Sequence, residues 1–142
     1  MEHKQNYYQK VRGYRNNNPL NLRISRNAWK GKLPKEQNTD GSFEQFETMA
    51  LGFRAALMNL RTHIRRGRRT LQELITVWAP ESDGNNTQRY IERVCRTTGM
   101  EPQTVIVPAD REQMVKLVYA MAIVENGSRP EWDDVYAGYD ML

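Results

Sequence analysis

The sequence predicts a mostly helical α+β fold, with about five helices beside a small hairpin or sheet. Three observations carry that reading. Apolar residues recur at spacings of three and four in long segments from Thr48 onward. β-Compatible pieces are confined to the first third of the chain. Helical segments open on capping residues and close at glycine or just before proline. At 142 residues the chain fits one domain with a single core. That domain is expected over residues 13–142, behind a flexible polar arm at 1–12.

The first element is an Asn-, Gly- and Pro-rich segment, "GYRNNNPLNLR", with Leu20–Ser25 as its β-compatible piece. Ser42–Glu47, "SFEQFE", is the second piece, and "PKEQNTDG" between them is a turn-rich loop. Thr48 caps the first long helix, in which Phe53, Leu57, Leu60 and Ile64 form one apolar face and Gly67 is the stop. Thr70–Glu73 is a T-x-x-E capping box, opening a short helix that ends near Trp78 because Pro80 follows. Asn86 or Thr87 caps a helix running to about Thr98, with Gly99 at its end. "MEPQTVIVP" is a connection with an extended character. Asp110 caps the last long helix, Gln113 completing a D-x-x-Q box, and Pro130 introduces a short helix over Glu131–Ala137.

Composition narrows the function classes. The net charge of +4 and pI of about 9.3 favour an anionic partner: nucleic acid, anionic lipid or cell-wall polymer. One cysteine, Cys95, excludes an internal disulfide and a cysteine-based metal site, and its helical spacing reads as a core or near-core thiol. His3 and His63 have no metal-ligand spacing, so no metal and no cofactor are expected. The N-terminus lacks the apolar region of a secretory signal, and no stretch approaches 18 apolar residues. Neither a phosphate-binding glycine loop, nor G-x-S-x-G, nor a Cys–His pairing is present, which leaves acid chemistry as the main catalytic option.

One acid stands out. Advancing about 100° per residue from Met114 puts Val118 at about 40°, Met121 at about 340° and Glu125 at about 20°. Lys116 falls near 200°, on the far side. Glu125 is therefore on the apolar face of its helix. It also stands at the helix C-terminus, whose dipole disfavours negative charge. Both effects raise a carboxyl pKa and suit a general acid. The alternative is an ion pair with one of the chain's many arginines.

Four asparagines, Asn16, Asn17, Asn18 and Asn21, offer amides that suit sugar hydroxyls and N-acetyl groups, or a loop that bonds itself. Trp29 and Trp78 are either pyranose-stacking rings or core anchors. The five arginines of "RTHIRRGRR", Arg61 to Arg69, have no interleaved aromatic residue and read as a solvated basic helix end. Nucleic acid is not expected as the functional partner.

Taken together, "RGYRNNNPLNLR", the "WKG" piece, "FEQFETMALGFRAALMNL", "TLQELITVWAPESDGNNTQRYIERVCRTTGM" and "MAIVENGSRPEW" resemble a family of phage and prophage proteins. Its members carry RNNNPGN-, WAP- and ENG-type motifs in this order and include virion-associated, peptidoglycan-degrading proteins with a lysozyme-like fold. The resemblance spans roughly residues 12 to 139. "NNNPLNL", "WKG" and "FEQF" are also similar to elements that follow the catalytic helix in lytic transglycosylases and flagellar-type glucosaminidases. Here "AIVENGSRP", similar to their A-x-x-ESG-x-x-P segment, comes last, which implies a circularly permuted lysozyme-like order. Leu20 stands where the family has glycine, and "APESDGNNT" is one residue longer than the usual loop.

The resemblance implies cleavage of the β-1,4 bond between N-acetylmuramic acid and N-acetylglucosamine, with Glu125 as acid and base. Asn17, Asn18 and Asn21 are expected to line the cleft, with Phe46, Trp78, Tyr90 and Asn126 as binding or supporting residues. A lytic transglycosylase needs one carboxyl, whereas a hydrolase uses a second, for which Asp40, Glu44 and Glu47 are the candidates. The alternative is a non-catalytic phage structural or wall-binding protein on the same fold. The implied partners are glycan strands and other phage virion or lysis proteins. The protein is expected to be made in the bacterial cytoplasm without a signal peptide, then carried by a virion or delivered to the periplasm and wall.

Overall fold

Thr48 does what its hydroxyl suits it for: Oγ1 accepts the Leu51 N–H at 3.2 Å and starts a helix that runs Met49–Arg65. It is the second of six α-helices among residues 10–142, the part of the chain described by the computed structural model. The helices are α1 (Arg12–Arg15), α2 (Met49–Arg65), α3 (Leu71–Trp78), α4 (Thr87–Thr98), α5 (Arg111–Asn126) and α6 (Trp132–Asp140). Of the arm expected over residues 1–12, residues 1–9 lie outside the described residues, and Arg12 opens α1.

The expected stripe on α2 is the one that is buried. Phe53, Leu57 and Leu60 are fully enclosed, each contributing about 1.5–3 kcal/mol relative to exposure. The capping box of α3 closes in both directions, with Glu73 N–H on Thr70 Oγ1 and Thr70 N–H on Glu73 Oε1. For α4 the cap is Asn86, whose Oδ1 accepts the Arg89 N–H, while Thr87 is buried and bonds the Ala79 carbonyl. Gln113 departs from expectation. Asp110 caps α5, but the Gln113 amide turns to Val107 N and Val105 O and ties down the preceding extended segment. That segment in turn pairs with Thr70 through an isolated bridge.

α5 is the central helix. Met114, Val118 and Met121 are buried as expected, but so are Val115, Leu117, Tyr119, Ala120 and Ala122 on its other sides. A helix buried on most of its sides is an interior helix, and α1, α2, α4 and α6 all pack on it, leaving Lys116 as its solvent-facing position past the first turn. α6 runs three residues further than expected and crosses α2 at Gly138, where a Cβ would lie 2.7 Å from Phe53 Cβ and 2.9 Å from the Ala50 oxygen.

The small sheet is the main correction. Among the described residues the two β-compatible pieces meet at one isolated bridge, Arg23 with Phe43, while Lys32, from the segment between them, makes another with Phe46. Side chains take the backbone groups that further rungs would use. Asn18 Oδ1 accepts the Leu22 N–H while its Nδ2 donates to the Leu22 and Glu44 carbonyls. Asp40 accepts the Ser42 and Phe43 amides, and Asn38 those of Asp40 and Gly41.

Leu20 is compatible with the turn it occupies. The left-handed residues of this loop are Asn17 (φ 51°) and Asn21 (φ 54°), not residue 20, and the Leu20 side chain enters the core.

Candidate active site

Glu125 is in the last turn of α5, one residue before Asn126 ends the helix and two before Gly127 adopts a left-handed φ of 75°. Its side chain is half-buried and, among the described residues, does not pair with an arginine. Three uncharged donors hold it instead. Asn21 Nδ2 donates to Oε1 at 3.1 Å, and the Tyr90 hydroxyl donates to Oε2 at 3.0 Å. The Trp78 indole is a third, weaker donor, outside good hydrogen-bond geometry but close enough to favour the charged form. These donors come from three separate elements: the Asn loop, α3 and α4.

Burial raises the Glu125 pKa above the ordinary carboxyl value, and the donors Asn21, Tyr90 and Trp78 offset part of that rise. Tyr90 is pushed well above its usual value, first by its own burial and then by the Glu125 charge, so it stays a neutral phenol. The result is a carboxyl that keeps its proton to higher pH in a setting of fixed, neutral donors.

Of the other residues singled out, Asn21, Trp78 and Tyr90 converge on Glu125. Among the described residues, the hydrogen bonds of Asn17, Asn18 and Asn126 and the packing of Phe46 are made elsewhere. Asn17 donates to the Phe46 carbonyl at 3.0 Å. Asn18 is enclosed, with its amide engaged in the loop, so the cleft-lining place expected for it is not the one it has. Phe46 is 3% exposed and packs with Leu22 and Ala55, a core position and not a cleft wall. Trp29 packs against the same small cluster. Asn126 is a strut, with Nδ2 donating to Pro19 O at 2.8 Å and Ala122 O at 2.9 Å, and so fixes the Asn loop to the end of α5.

The candidate second carboxylates have other partners or an exposed setting. Asp40 receives Arg12 at 2.7 and 2.8 Å and Asn16 at 3.0 Å, and these bonds hold its carboxyl well below the usual range. Glu44 is 1% exposed, paired with Lys32 at 2.9 Å and accepting the Ser25 N–H. Glu47 is exposed.

Two cavities share their walls with the residues that hold Glu125. One, of about 240 Å³, is lined by Asn21 and Trp78 together with Arg23, Asn59 and His63. The other, of about 390 Å³, is lined by Tyr90 and Val124 together with Asn85, Asn86, Arg89 and Arg93. His63 was not singled out as a site residue. Its ring meets Trp78 edge-on at 6.5 Å, its Nδ1 is buried without a partner, and burial with Arg68 and Arg66 lowers its pKa.

Gly13 is the other residue sequence reasoning passed over. A Cβ there would overlap Asn126 Oδ1 and sit 3.0 Å from Asn21 Oδ1, so α1 can approach the site only without a side chain at this position. The Tyr14 hydroxyl then donates to Ser128 O at 2.6 Å, just beyond α5. The glycine of "RGYRNNN" was a visible signal, but only for a turn.

Among the described residues no group of three or more His, Cys, Asp or Glu side chains is placed to hold a metal ion. No described helix is long and apolar enough to cross a membrane. No family model matches the chain. It is 34% identical over 135 aligned residues to "Protein P5" of Pseudoalteromonas phage PM2, covering 92% of this chain and 81% of that protein.

Proposed function

This chain belongs to the family of protein P5 of Pseudoalteromonas phage PM2, and from that premise we propose that it is a peptidoglycan-degrading glycosidase with a circularly permuted lysozyme-like fold. Its reaction is lytic transglycosylation at the bond between N-acetylmuramic acid and N-acetylglucosamine. The observation that carries this reading is the setting of Glu125: a half-buried carboxyl with a raised pKa, hydrogen-bonded by Asn21 and Tyr90, which with Trp78 wall two cavities.

In the proposed step, protonated Glu125 gives its proton to the glycosidic oxygen as the bond from muramyl C1 to that oxygen breaks. The muramyl C6 hydroxyl then attacks C1, closing the anhydro ring, and its proton returns to the Glu125 carboxylate. No water is consumed and the acid is restored. The single-acid route is favoured because Asp40 and Glu44 already have structural partners. Glycan strands are the substrate, and a virion or the host wall is the place of action.

Purified peptidoglycan digested with the wild-type chain should release anhydromuropeptides identifiable by mass, and Glu125→Gln should lower the rate at least about 100-fold. Reducing muramic ends would point to hydrolysis. Intact glycan from a folded wild-type chain would overturn the enzymatic reading in favour of a wall-binding structural protein.

A further inference from the structure

α4 carries Arg89, Arg93 and Arg96 at i, i+4 and i+7, one face of the helix. Among the described residues none of the three is in an ion pair. The neighbouring acid on that helix, Glu92, is met by Gln88 Nε2 at 3.4 Å. Arg89 and Arg93 line the 390 Å³ cavity together with Tyr90, whose hydroxyl bonds Glu125, so two guanidinium groups outside any ion pair of the described residues share a cavity wall with a residue that holds the candidate acid. The 240 Å³ cavity is differently equipped. Asn21, Asn59 and Trp78 line it with neutral groups, His63 holds a proton less readily than usual, and its one arginine, Arg23, lies 5.5 Å over the Phe43 ring.

The two halves therefore differ in what they can recognise. A guanidinium offers a planar fork of donors that fits a carboxylate, and two of them one helical turn apart suit an anionic arm branching from a sugar. On a glycan of alternating units, only the muramyl residue carries such an arm. We propose that Arg89 and Arg93 form a subsite for a carboxylate of the muramyl unit, borne by its lactyl group or by its peptide stem. This subsite sets which way the strand lies across Glu125. The inference rests on the peptidoglycan reading of the site, but not on turnover.

Calorimetric titration with three probes tests it: a disaccharide–tetrapeptide muropeptide, the same disaccharide with its stem removed by an amidase, and diacetylchitobiose, which has no carboxylate. The wild type should bind at least one carboxylate-bearing probe about 5- to 10-fold more tightly than chitobiose. Arg89→Ala/Arg93→Ala should lose that preference while keeping its melting temperature and its chitobiose affinity. Arg89→Lys/Arg93→Lys should keep part of it. Preference for the stem-bearing probe alone assigns the stem carboxylates. Preference for the stem-free probe alone, whose lactyl carboxyl is freed from its amide, assigns the lactyl arm. Equal preference for both means that either carboxylate fills the subsite. The subsite is overturned if the alanine pair keeps the preference, or if all three affinities fall together. It is equally overturned if a short DNA duplex binds the arginine face in salt-dependent fashion while the muropeptides do not. A chain that binds with the preference but releases no muropeptides retains the subsite and loses only the catalytic reading. A chain that cleaves normally with the alanine pair and keeps the preference loses only the subsite.

Discussion

Glu125 keeps its proton longer than an ordinary carboxyl because burial disfavours its charge more than Asn21, Tyr90 and Trp78 favour it. The sign of the stability effect follows. Below the ordinary carboxyl pKa both folded and unfolded chains hold this proton and no penalty applies. As pH rises through the folded pKa, ionisation inside the protein costs stability. Glu125→Gln lacks that term, so it should melt above the wild type at neutral pH, with the gap closing in acid on a thermal scan. The amide can be accommodated because Asn21 Oδ1 has no hydrogen-bond partner among the described residues and a half-turn of that side chain would present it to the new donor. Tyr90→Phe removes a donor that lowers the Glu125 pKa, so the alkaline limb of a kcat/KM profile should move to higher pH. Unmoved limbs would separate Glu125 from the titration. At this scale periodicity located the acid, because a 100° step is a property of any helix. It could not separate Asn21 from Asn18, since which amide faces a loop and which faces a cleft depends on two left-handed backbone positions that only the folded loop defines.

Helix boundaries were the most legible elements, because caps act within four residues. Thr70, Asn86 and Asp110 all accept the backbone amides expected of them. Thr70→Ala should cost about 0.5–2 kcal/mol in denaturant unfolding. Gln113 eluded the motif because its partners, Val105 and Val107, lie before the helix rather than at its cap. The sheet eluded it because Asn18, Asn38 and Asp40 compete for backbone groups, a contest invisible in β-propensity. Gly52 tests the packing of α2 on the Asn loop. Helix propensity alone would favour alanine there by about 1 kcal/mol, but a Cβ would overlap the Asn17 carbonyl oxygen and sit 2.8 Å from Pro19 Cδ. Gly52→Ala should therefore destabilise by about 1–3 kcal/mol in the same assay. A stabilised variant would mean that the loop yields freely.

In the whole molecule, the beginning and end of the described chain meet at the site. Asn21 reaches Glu125 across 104 positions, Asn126 reaches Pro19 across 107, and Tyr14 reaches Ser128 across 114. That closure was anticipated by the order of the motifs, not by any local signal, because nothing within a few residues of Asn21 reports a partner so distant. A chain ending at Gly127 would lose α6, which covers Phe53 through Gly138 and Val135, and should show no cooperative thermal transition by circular dichroism. There is also a consequence for synthesis. Contacts of such long separation form late in folding, and a nascent chain that already carries Asn21 lacks Glu125 until another 104 residues have been added. Every fragment short of that length, whether stalled on a ribosome or clipped by a protease, carries the asparagine loop and the arginines without the acid. Whatever this centre does, it can begin only after synthesis has passed Glu125.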